Sequence, residues 1–133
     1  MKKHTREDLE AALRIYNAAR DHACKTGDWN VWADLFTEDA EYIEHHYGTL
    51  GGREAIRRWI KETMSTWPGD QMPHFPVEWY IIDEDRGWVV CQVWNRGMPN
   101  ERATQTFRLR VTETQIRRGE EGTATGDNED DRP

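Results

Sequence analysis

The chain is poor in cysteine: Cys24 and Cys91 are the only two, far apart and in no CxxC pair. That excludes a disulfide framework and a zinc knuckle, so both thiols are expected reduced in the core. No apolar run approaches the ~18 residues of a membrane span, and Met1 to Asp8 has no signal-like apolar segment. A soluble, cytoplasmic protein with no membrane partner is expected. Positive charge is also scarce, because the formal net charge is -7. Residues 119–133 hold six acids against Arg132, which is -5 and leaves -2 for residues 1–118. A near-neutral body lacks the basic footprint that nucleic acid requires, so Arg108, Arg110, Arg117 and Arg118 read as a solvated strand face. Metal-binding spacing is missing too. His45 and His46 are adjacent and would point to opposite faces of a strand, while His4, His22 and His74 form no HExxH pattern.

What the chain has is aromatic bulk. Hydrophobic residues make up only 36%, but seven Trp, four Tyr and three Phe supply a large buried area from few positions. A length of 133 residues allows one domain. It is expected over residues 1–118. Past Ile116 the only apolar residue is Ala124, so residues 119–133 cannot offset their ordering entropy and are expected to form a disordered acidic tail.

Thr5 followed by Glu7 and Asp8 marks a helix start, and Leu9, Ala12, Leu13, Tyr16, Ala19 and Ala23 recur at helical spacing up to Gly27. Tyr16 is therefore expected on the buried side. Asp28 is the expected N-cap of a second helix over Trp29 to Phe36. Thr37-Glu38-Asp39 breaks that period, and alternation from Ala40 to Tyr47 predicts a strand. Gly48 to Gly52 reads as a connection into a third helix, with Ile56, Trp59, Ile60, Thr63, Met64 and Trp67 on one face. Val77 to Ile82 and Trp88 to Trp94 predict a hairpin turning at Asp83 to Gly87, and Thr106 to Thr112 another strand. Helices first and strands after give an α+β order.

Three stretches together carry a family likeness: the first helix ending in Lys25-Thr26-Gly27-Asp28-Trp29, the turn Leu35-Phe36-Thr37-Glu38-Asp39-Ala40 into a strand, and Gly51-Gly52-Arg53-Glu54-Ala55-Ile56 opening a helix. In their order and spacing the chain resembles the nuclear transport factor 2-like superfamily, in particular its SnoaL-like branch. That branch includes ketosteroid isomerases, polyketide cyclases and limonene epoxide hydrolases. The resemblance implies a cone-shaped, curved, mostly antiparallel sheet with three helices in the N-terminal half. Relatives close that sheet with a further apolar strand, and none is legible after Val111. Either natural divergence or an altered reading of the coding sequence accounts for its lack.

The same resemblance implies a cofactor-free enzyme that moves protons on a small hydrophobic compound such as a polyketide, terpenoid or steroid, in the manner of an isomerase, cyclase, dehydratase or hydrolase. It also implies a homodimer. In ketosteroid isomerases the general-base carboxylate stands on the first strand, eight residues after the Phe that ends the second helix, which here is Glu44. His46 would share its face as partner acid or orienter, and Tyr16 would donate to a developing oxyanion. Gln105 falls near the position of those isomerases' second acid and, as an amide, cannot titrate. Trp32, Phe36, Tyr42, Trp59 and Gln105 would line the pocket. A carboxylate walled by aromatics has its charged form disfavoured, which suits proton transfer near neutral pH. The alternatives are an ion pair of Glu44 with Arg53, Arg57 or Arg58, a packed Tyr16, and a non-catalytic module that binds through the outer sheet face with Glu78, Tyr80 and Ile82 beside Trp88 or Trp94. Alternation leaves open which face of the first strand, Tyr42 and Glu44 or Glu41 and Ile43, looks inward.

Overall fold

The computed structural model describes residues 4–44, 47–66, 69, 75–94 and 104–111. Helix α1 (Arg6–Thr26) begins where the Thr5 hydroxyl accepts the Asp8 N–H at 3.1 Å. It stops at Gly27, whose φ of 79° lets its N–H turn back to the Ala23 carbonyl at 2.7 Å. Leu9, Leu13, Tyr16, Ala19 and Ala23 are buried, as their spacing predicts. Arg20 is buried with them, which polarity alone does not suggest.

Helix α2 (Asn30–Ala33) is shorter than the expected Trp29 to Phe36. After Ala33 the backbone tightens: Leu35 and Phe36 donate three residues back, to Trp32 and Ala33. The Asp28 carboxylate accepts the Asn30 N–H at 3.0 Å and so holds this helix start from one residue further out than the Trp29 cap. Strand β1 (Glu41–Glu44) pairs antiparallel with β2 (Gly48–Gly51), where the sequence suggested only a connection. Two of the four β2 residues are glycine and three of the four are exposed, so no two-residue hydrophobic period marks it. Gly52, at φ 94°, donates to the Ala40 carbonyl at 2.8 Å and turns the chain into α3 (Arg53–Met64). Ile56 and Ile60 of α3 face the core. Trp67 lies outside the described residues.

Strands β3 (Val77–Asp83), β4 (Trp88–Trp94) and β5 (Thr104–Arg110) form an antiparallel sheet in that order. Val89, Cys91 and Val93 on β4 point at the helices and complete a core with Leu9, Leu13, Trp32 and Ile56. Register places Ile82 and Leu109 beside Val89, and Tyr80 and Phe107 beside Cys91, on that same inner face. The outer face thus carries Trp79, Ile81, Val90 and Trp94 rather than Tyr80 and Ile82. The cause is a β-bulge between Val77 and Trp79, since one extra residue reverses the alternation that Val77 begins. The Tyr80 hydroxyl instead donates to Glu10 of α1 at 2.5 Å. Arg108 and Arg110 are exposed as expected, with the Arg108 guanidinium 4.1 Å from the Trp88 ring centre. Arg117, Arg118 and the segment 119–133 lie outside the described residues.

Candidate functional site

A cavity of about 200 Å³ opens between α1, the turn after α2, β1 and β5. Helix α1 contributes Ala12, Ile15 and Tyr16, and the tightened turn contributes Leu35, Phe36 and Thr37. Ala40 and strand β1, from Glu41 to Ile43, supply a third side, and β5, from Phe107 to Arg110, with Val111 just after it, supplies the fourth. The cavity lining thus mixes aliphatic and aromatic side chains with polar groups: the Tyr16 and Tyr42 phenols, Thr37, Glu41, Arg108 and Arg110. Burial pushes both phenols above the usual tyrosine range, so each is a protonated donor at neutral pH. At Tyr16 the nearby Arg20 charge works in the opposite direction, as does the Trp32 indole. The indole N–H lies beside the phenol yet closes no hydrogen bond with the described residues.

The aromatic wall is continuous. Trp32 packs on Phe36 at 4.8 Å, Trp29 at 5.3 Å, Tyr16 at 6.1 Å and Tyr42 at 6.2 Å between ring centres. Tyr42 extends the chain to Trp59 at 5.1 Å, and Trp59 to Tyr47 at 5.6 Å. These separations are those of attractive offset and edge contacts.

The structure brings together Tyr16, Phe36 and Tyr42 at the cavity wall. Trp32 stands behind them with 1% exposure, and neither it nor Trp59 lines the cavity. On β1, Tyr42 and Glu44 are half-buried while Glu41 and Ile43 are exposed, so the Tyr42 and Glu44 face looks inward. Glu44 follows Tyr42 along that face, close enough for its charge to raise the Tyr42 phenol, but it is not among the lining residues. Arg53 pairs with Glu38 and Glu54, and Arg57 pairs with Asp34 and Glu54. Gln105 lies in β5 opposite Val93. His46 lies outside the described residues.

Sequence reasoning missed Arg20 and Phe107 as neighbours of this site. Arg20 follows Tyr16 by four residues on the apolar stripe, and that position was its only signal. Cys24 and Cys91 are free, and burial pushes both thiols up to about 11, which leaves them protonated and unreactive near neutral pH. Among the described residues no group of His, Cys, Asp and Glu could hold a metal ion, and no helix is long and apolar enough to cross a membrane.

Among the described residues three helices in the N-terminal half, the β1–β2 pair between the second and third of them and a three-stranded antiparallel sheet after the third make an α+β fold of the nuclear transport factor 2-like class. The chain belongs to the SnoaL-like domain family, which matches residues 7–121. Among solved structures it is similar to a protein of unknown function with a cystatin-like fold from Methylobium petroleophilum PM1. The two share 15% identity at a TM-score of 0.55, over 85% of this chain and 72% of that one. No curated protein sequence matches.

Proposed function

We propose that this chain is a cofactor-free SnoaL-like enzyme that moves a proton on a small hydrophobic compound held in the α1, β1 and β5 cavity. The observation that supports it is a cavity lined by apolar side chains and two phenols, with a carboxylate that follows on the same strand face as Tyr42. Glu44 takes a proton from carbon next to a carbonyl, and the Tyr16 hydroxyl donates to the oxygen on which charge develops. His46, two residues after Glu44 in the sequence, is the partner acid or orienter in this proposal.

Volume narrows the substrate. About 200 Å³ is below the ~300–1,000 Å³ of pockets for drug-sized ligands, so one or two fused rings fit better than a steroid. Solvent-deuterium incorporation beside the carbonyl of a panel of one- and two-ring ketones, followed by NMR, tests this without knowledge of the natural substrate. Exchange above the buffer rate for at least one member is the expected outcome. A uniform buffer rate across the panel would instead favour a non-catalytic ligand-binding module, a reading to which the position of Glu44 outside the cavity lining lends weight.

The outer sheet face supports a second proposal, a homodimer. Trp79, Ile81 and Trp94 are 41%, 60% and 39% exposed there, and contiguous apolar surface of this kind is costly to leave wet. Sedimentation at tens of micromolar, an order of magnitude suited to a modest interface, is expected to show a dimer that Ile81→Lys dissociates. A single monomer boundary for the unmodified chain would rule this interface out.

A further inference from the structure

Arg20 is 6% exposed, and no carboxylate pairs with it among the described residues. Its Nη2 donates to the Asn17 side-chain oxygen at 2.9 Å and to the Phe75 carbonyl at 3.1 Å, both neutral acceptors. Its Nε is buried without a hydrogen-bond partner among the described residues. The guanidinium lies over the rings of Phe75, Tyr16 and Phe107, at 5.1, 5.2 and 5.6 Å from their centres. Ring faces attract a cation but accept little of a guanidinium's five-donor capacity, and a buried charge is ordinarily paired.

Two of those three rings, Tyr16 and Phe107, are cavity wall, so the positive charge stands one side chain behind the cavity. The groups that gather there are donors. Among the described residues the Trp32 indole N–H and the Arg20 Nε–H are buried without a hydrogen-bond partner, and the Tyr16 phenol beside them is protonated. A donor surplus around a buried cation is complementary to an acceptor that carries negative charge. Resting only on the reading of this cavity as a small-molecule site and not on the proton-transfer step, we infer that it takes small apolar acids: one or two rings bearing a carboxylate, whose oxygen meets the Tyr16 hydroxyl in place of a carbonyl oxygen while Arg20 balances its charge from behind. Arg20 is a positioning residue in this arrangement. It selects the ligand's charge through Tyr16 and Phe107 without entering the cavity.

Paired calorimetric titrations with 2-naphthoate and 2-naphthamide, equal in shape and different in charge, test the inference. The intact protein is expected to bind naphthoate at least about tenfold more tightly, the scale by which a charge-assisted hydrogen bond exceeds a neutral one. Tyr16→Phe, which keeps the ring, is expected to weaken both probes. Arg20→Met is expected to remove the preference by weakening naphthoate alone, a differential that mere loss of packing would not produce. Should Arg20→Met fail to fold, the ratio in the intact protein decides. Naphthamide bound as tightly as naphthoate overturns the charge selection and leaves the small-molecule cavity standing. A preference that survives Arg20→Met overturns the role of Arg20. Failure of both probes to bind at millimolar concentration overturns the inference together with the cavity reading beneath it.

Discussion

Glu44→Gln is expected to slow catalysed deuterium exchange by roughly 10²–10⁴-fold, the contribution of a positioned acid/base group. The amide keeps the shape of the carboxyl and its hydrogen-bonding reach but cannot accept the proton. Because Glu44 is only half-buried and ends a four-residue strand, the fold should tolerate this near-isosteric change. An unchanged melting temperature together with the rate loss therefore distinguishes lost chemistry from lost structure. An equally active Gln variant would remove Glu44 from the mechanism and leave it a structural strand residue.

The second large effect concerns Trp32. It is 1% exposed and touches Trp29, Phe36, Tyr16 and Tyr42, so it joins the second helix to the two phenols of the cavity wall. Trp32→Ala should cost about 3–5 kcal/mol, the range for removing a large buried aromatic ring. Against a usual domain stability of about 5–15 kcal/mol, that is a large fraction of the whole. Urea unfolding is the measurement, with a lower midpoint and a similar slope expected. A loss below about 1 kcal/mol would mean that the wall collapses around the gap, and that the cavity is far more plastic than its packing implies.

Part of what underlies these two effects was legible in short-range patterns that a linear chain displays. The α1 stripe from Leu9 to Ala23, its Thr5 start and its Gly27 stop were legible because a helix repeats its buried face every three or four residues and its ends need particular side chains and backbone angles. The β3 and β4 hairpin was legible through its two-residue period and Gly87, which adopts φ 74°. The burial of Tyr16 and the pairing of Tyr42 with Glu44 on one face followed from the same periodicities.

What escaped the sequence lacked a local period. Strand β2, half glycine and mostly exposed, has no pattern to read. The bulge at Val77 to Trp79 consumes one residue silently, and that single residue decided which of β3's side chains lie on the outer sheet face. The inward face of β1 was undetermined because alternation names two faces and only the packing of Tyr42 against Trp59 and Phe36 selects one. Arg20 illustrates the general reason. By itself the sequence determined an α+β chain with a buried Tyr16 and an aromatic core. Only the tertiary structure decided that Phe75 and Phe107, distant in the chain, would close over a cation beside Tyr16, because burial depends on what packs from afar and not on a residue's own polarity.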